Sequence, residues 1–251
     1  MSGHSKWSTI KHKKGAADAK RGKLFSKLTR AIIVAAKEGG ADPAANLSLQ
    51  NAVEKAKSYS MPKDTIERAI ARGAGTDADA AAYETIVYEG YGPDGVAVLV
   101  EALTDNRNRT ASDVRHTFAK HGGNLGTTGA VAWLFERRGV VLVDAESVDE
   151  DELTLAAAEG GADDIELDGT VFQVSSAPES LSAVRDAIEA AGIEVQSAEL
   201  TMIPKTTVAV AEEAAAKKLI RLIEELEDND DVQDVSANFD IPELILEAVS
   251  A

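Results

Sequence analysis

From Tyr83 to Phe239 the chain alternates short β-branched runs with amphipathic helical runs, and this alternation confines it to a mixed α+β architecture. YETIVYEGY and GVAVLVEAL read as strands, and the GPDG between them suits a turn joining antiparallel neighbours. A helix is predicted over 111–120, with Thr110 and Asp113 spaced as a capping box in which Asp stands for Glu. GGNLGTTG reads as a loop, AWLFERRGVVLVD as a strand broken at Gly139, DEDELTLAAAEGG as a helix and DGTVFQVSS as a strand. ESLSAVRDAIEAAG (helix), IEVQSAELTMIP (strand), AEEAAAKKLIRLIEELED (helix) and DVQDVSANF (strand) complete the series. So many strands divided by helices fit two sheets, each covered by helices on one face, better than one large sheet.

The chain before Tyr83 has a different period. Residues 1–15 lack helical spacing and read as an arm, whereas Leu24, Leu28, Ala31, Ile32 and Ala35 recur as a helical stripe within a helix predicted over 16–37. Lys20, Lys23, Lys27 and Arg30 fall at i, i+3, i+7 and i+10, within an arc of roughly 80° beside that stripe. EGGADP ends the helix, residues 47–58 form a second, and Pro62 in SMPKDTIERAI stands where a third begins, since a first turn has no use for its missing N–H. An N-terminal three-helix domain with a preceding arm follows.

Charge divides along the same line. The 251 residues carry a net charge of −17, yet residues 1–75 hold 15 Lys+Arg against 6 Asp+Glu, leaving 11 against 37 for the remainder. A basic segment on an acidic protein points to a phosphate-bearing partner met by the basic part. The absence of cysteine excludes disulfides, thiolate zinc sites and cysteine nucleophiles. No apolar run reaches the ~18 residues of a membrane span, and lysines outnumber arginines seven to two in the first thirty residues, unlike an Arg-rich transit segment. The chain reads as soluble and cytoplasmic, with no membrane partner.

Within the arm, His4, Lys6 and Trp7 precede Lys11, His12, Lys13 and Lys14. Lysines neutralise phosphate and release counterions, while Trp and His rings stack on unpaired bases; a solvated tail anchored by Trp7 is the plainer alternative. Lys20, Arg21, Lys23, Lys27 and Arg30 extend the basic surface along the first helix. TDNRNRT sets Arg107 and Arg109 among Asn and Thr donors at a strand end, suited either to phosphate or to pairing with nearby acids. GGNLGTTG has neither a GK[ST] nor a G-x-G-x-x-G pattern, so it reads as a tight turn. His4, His12, His116 and His121 show no ligand spacing, and no nucleophile motif occurs. Acid runs such as EELEDNDD read as solvated faces or helix ends. A non-enzymatic protein without metal, cofactor or small-molecule substrate is expected.

The motifs GHSKW, KHKKGAADAKRGKLFSKL, MPKDTIERAI, YEGYGPDGVAVLVEALTDNRNRT and GGNLG, taken in order, resemble the YebC family of bacteria and its mitochondrial relatives, which include the translational activator of cytochrome c oxidase. Two positions depart from the family pattern: Ser60 where Asn is expected and Ala130 where Ser is expected. The resemblance implies a helical domain over 1–76 and two ferredoxin-like α/β domains. One would comprise 80–129 plus 205–241, and the other, over 130–204, would be inserted within it. It also implies a probable DNA-binding transcriptional regulator or, alternatively, a translation factor that binds ribosomal RNA and helps ribosomes through difficult sequences such as proline runs.

Overall fold

The computed structural model describes residues 18–75 and 83–250, so the arm over 1–15 lies outside the described residues. Helix α1 (Asp18–Gly39) turns Leu28, Ile32, Ile33, Ala35 and Ala36 inward, where they meet Leu49, Val53 and Ala56 of α2 (Leu47–Ser58) and Ile66 and Ala69 of α3 (Lys63–Ala74). Asn46 caps α2 by accepting from Leu49 N at 3.1 Å, and Pro62 immediately precedes α3 as its sequence position predicts. A Cβ on Gly73 would overlap the Ile33 carbonyl oxygen and come within 2.8 Å of Ala36 Cβ, so a bare backbone sets how closely α3 lies on α1. Ser60 is left-handed, with φ of 57°, a conformation that Asn tolerates better than Ser.

The first sheet is antiparallel, in the order β3-β1-β2-β9, and comprises β1 (Glu84–Tyr91), β2 (Ala97–Thr104), β3 (Asn124–Leu125) and β9 (Val232–Ala237). It is discontinuous in sequence, since β9 reaches β2 only after the second sheet has been completed. β2 is buried on both sides. Val98, Val100 and Ala102 face helices α4 (Arg107–Lys120), α7 (Glu213–Asp228) and α8 (Glu243–Ser250), while Ala97 and Leu99 meet Val131 and Phe135 opposite.

The second sheet, in the order β5-β6-β4-β7, is also antiparallel: β4 (Phe135–Asp144), β5 (Ala162–Asp168), β6 (Val171–Ser176) and β7 (Val195–Pro204). Helices α5 (Glu150–Gly160) and α6 (Leu181–Ala190) cover one face through Leu153, Ala157, Val184 and Ile188. A short parallel pair, β8 (Val208–Ala209) with β10 (Phe239–Asp240), closes the chain's return. Helices followed by two antiparallel sheets give the α+β class expected.

Two local expectations are corrected, and one strand lies beyond them. The helix predicted over 111–120 begins one turn earlier, at Arg107, because Asn106 caps it by accepting from Arg109 N at 3.1 Å; Thr110 lies inside the helix, buried. β4 runs unbroken through Gly139, where a Cβ would meet Ser176 Oγ at 2.6 Å and Leu181 Cβ at 2.8 Å, so this glycine admits a close crossing and does not end the strand. β5 was unforeseen, because it pairs only with β6 and its acids interrupt the apolar alternation. Among the described residues no helix is long and apolar enough to cross a membrane.

Candidate nucleic-acid interface

Of the predicted basic surface, His4, Lys6, Trp7, Lys11, His12, Lys13 and Lys14 lie outside the described residues, and Lys20 and Arg21 occupy the first turn of α1. Lys23, Lys27 and Arg30 all point one way, as their 80° arc requires, and they meet the carboxyl end of α7. Lys23 Nζ donates to the Asp228 carbonyl at 3.4 Å, Lys27 Nζ to the Glu227 carbonyl, and Arg30 Nη1 to the Asp230 carbonyl at 2.9 Å. The last carbonyls of a helix lack intrahelical donors and carry the negative pole of its dipole, so Lys23 and Lys27 complete the end of α7, and Arg30 takes the carbonyl of Asp230 two residues beyond it. The acid run EELEDNDD is therefore a helix end set against a basic helix.

Asp231 is the centre of this junction. Its buried carboxylate accepts from Arg30 Nη1 at 3.2 Å, Arg109 Nη2 at 2.7 Å, Thr110 Oγ1 at 2.8 Å and Thr104 Oγ1 at 3.2 Å. Burial works against its ionisation, but the bonds from Arg109, Thr110 and Thr104 prevail and hold the carboxyl below its ordinary range. Reciprocally, Asp231 and Asp105 keep the Arg109 guanidinium charged more firmly than usual. The two arginines of TDNRNRT thus differ. Arg109 is braced by two acids with 47% of its side chain exposed, whereas Arg107 is 69% exposed and stands 4.0 Å from Glu84.

The helical unit also meets the second sheet. Lys55 pairs with Glu199 at 3.1 Å, and Glu54 accepts from Arg185 at 3.0 Å and from Ser182 at 3.3 Å. Glu199 raises the Lys55 ammonium well above its ordinary value against the opposing effect of burial. Between the helices that cover the first sheet, Lys120 and His121 at the end of α4 reach Glu225 of α7 at 2.7 and 2.8 Å, and their hydrogen bonds lower its carboxyl.

The GGNLGTTG turn closes on an anion from its own chain. Glu89, buried in β1, accepts from the backbone N–H of Gly129 at 2.6 Å and of Val131 and Ala132 at 2.7 Å. Burial pushes this carboxyl up, yet the three amides hold it below its usual range. Donors that in other loops cradle phosphate are committed here to a carboxylate. Among the described residues no group of three or more His, Asp and Glu is arranged to hold a metal.

Residues 5–76 match the profile described as the TACO1/YebC protein N-terminal domain, and residues 83–239 match the TACO1/YebC second and third domain. This chain belongs to the TACO1/YebC family. Family relatives from Rubrobacter xylanophilus and Desulfotalea psychrophila are 60% and 56% identical over 100% of both chains, and each is named a probable transcriptional regulatory protein. The crystal structure of a conserved hypothetical protein from Aquifex aeolicus superposes with a TM-score of 0.82 at 50% identity, covering 93% of this chain and 96% of that one. Within this YebC-family chain, sequence reasoning missed Asp231, whose neighbours in EELEDNDD carry no mark that separates a buried hub from exposed acids. It also passed over Phe25, Arg72 and Tyr83, which line an open groove beside Arg30.

Proposed function

We propose that this chain is a non-enzymatic, cytoplasmic, nucleic-acid-binding regulator of gene expression, and specifically a DNA-binding transcriptional regulator. The observation that carries this reading is the charge division: 15 Lys+Arg against 6 Asp+Glu in residues 1–75, on a protein whose net charge is −17. The names of the relatives, probable transcriptional regulatory proteins matched along their whole length, support it. In this reading Lys6, Lys11, Lys13, Lys14, Lys20 and Arg21 neutralise phosphates, and Trp7, His4 and His12 supply rings and donors. Arg107 and Arg109 form a second contact. Lys23, Lys27 and Arg30 take part by sharing or exchanging the carbonyls of Asp228, Glu227 and Asp230.

One observation favours a translation factor on ribosomal RNA as a second reading. The basic face of α1 lies against α7 and is not presented as a recognition helix, which a helical major-groove reader needs. Crosslinking nucleic acid to the protein in cells and sequencing what is recovered tests both. Discrete promoter fragments are expected; ribosomal RNA would replace the first reading with the second, and no recovery above background would defeat both.

A further inference from the structure

Beside the junction of α1 with α7 lies an open groove of about 290 Å³, lined by Phe25, Ser26, Thr29, Arg30 and Ile33 of α1, Arg72 of α3, and Tyr83 just before β1. The α1 residues share one face, at i, i+1, i+4, i+5 and i+8, so a single helical surface forms the floor. Three features define what suits it. Phe25 and Tyr83 are only partly buried and offer aromatic surface. The Arg30 guanidinium sits 5.1 Å from the Tyr83 ring centroid and is itself fixed by the Asp230 carbonyl and the Asp231 carboxylate, so ring and cation are held together before any ligand arrives. Ser26 and Thr29 donate their hydroxyl protons to the carbonyls of Gly22 and Phe25, which leaves their oxygens as acceptors. Among the described residues two arginines and no carboxylate line the groove.

We propose that this groove binds one unpaired nucleobase of a single-stranded nucleic acid, with the base stacked at Tyr83 and Phe25 and its phosphate near Arg72. The inference rests on the nucleic-acid reading above and narrows it. The volume lies just under the ~300–1,000 Å³ range of ligand pockets, which suits a single flat ring system. Stacking needs only a π face, the hydroxyl acceptors match the N–H groups on a base edge, and the lining charge matches a phosphate. A base in an intact duplex is stacked and paired and does not enter.

The test uses the full chain with a short single-stranded oligonucleotide carrying one 2-aminopurine, as RNA and as DNA, and a blunt duplex of the same sequence. Binding is expected to change 2-aminopurine emission. Tyr83→Leu is expected to weaken single-strand affinity on the order of tenfold, with duplex affinity unchanged, and Tyr83→Phe to restore it. If Tyr83→Leu melts like the parent and binds the single strand equally well, the base site is overturned while phosphate-driven binding stands. Equal losses on single strand and duplex would make Tyr83 a structural residue and also overturn it. If Tyr83→Leu shifts the Trp7 emission of the free protein in a Trp133→Phe background and leaves single-strand affinity unchanged, the groove holds the chain's own arm and the base site is overturned. Failure of the parent to bind any of the probes would remove the underlying reading as well.

Discussion

Arg30 Nη1 lies 3.2 Å from Asp231 Oδ1, joining residues that are 201 positions apart in sequence. Through this contact the N-terminal helices are fastened to the last strand of the first sheet. The same carboxylate holds Arg109, Thr104 and Thr110, so one acid fixes three segments of chain. Asp231→Asn keeps the shape but removes the charge, and it is expected to lower unfolding stability by about 2–3 kcal/mol, since charge-assisted bonds at a buried site are lost. Urea unfolding measures this.

The same residue sets a pH dependence. Its carboxyl titrates lower in the folded chain than in the unfolded one, so its contribution is complete above the ordinary carboxylate pKa of ~3.9 and is lost as pH falls through the folded value. Parent and Asp231→Asn should therefore differ most above about pH 5 and converge in acid. A constant difference down to the acid transition would show that the charge of Asp231 is not what stabilises the junction.

Glu89 makes a third prediction, at a site distant from Asp231. Its carboxylate accepts three backbone amides, whereas the amide of Glu89→Gln has one oxygen and brings two further donors. At least one buried N–H loses its partner, at a cost of about 2 kcal/mol. Hydrogen exchange should quicken at Gly129, Val131 and Ala132 before it does in β2.

Ser60 makes a prediction of the opposite sign. Its φ of 57° at an exposed position strains Ser more than Asn, so Ser60→Asn is expected to raise stability by about 0.5–1 kcal/mol. Unchanged thermal unfolding would mean that the left-handed turn costs Ser nothing.

Much of the architecture was legible because its elements depend on local patterns. The stripe from Leu24 to Ala35, the Pro62 start and the GPDG turn each carry a short-range physical signal. The failures share another cause. Thr110 has the spacing of a cap, but its hydroxyl is claimed by Asp231, 121 residues away. Gly139 has the composition of a break but serves a crossing helix, and β5 is a strand because β6 is beside it. At the candidate interface the sequence placed Lys23, Lys27 and Arg30 on one face correctly. Spacing within a helix says nothing of the partner opposite, and the carbonyls at and just beyond the end of α7 are invisible to composition.

Arg107 and Arg109 separate binding from stability. Arg107 is 69% exposed with one acid at 4.0 Å, so Arg107→Ala is expected to leave unfolding within about 0.5 kcal/mol of the parent. If it contacts phosphate, the slope of log affinity against log salt should fall by about one unit. Arg109→Ala should lower the slope and stability together, because it also removes one of the two guanidinium partners of the buried Asp231 carboxylate. The arm supplies a third comparison: Lys11, Lys13 and Lys14 all changed to Ala should flatten the slope by about one unit per lost contact. Salt titrations of the three variants against one nucleic acid rank the contributions. An unchanged slope in the arm variant alongside a reduced one in Arg107→Ala would move the phosphate contact from the arm to the first turn of α4.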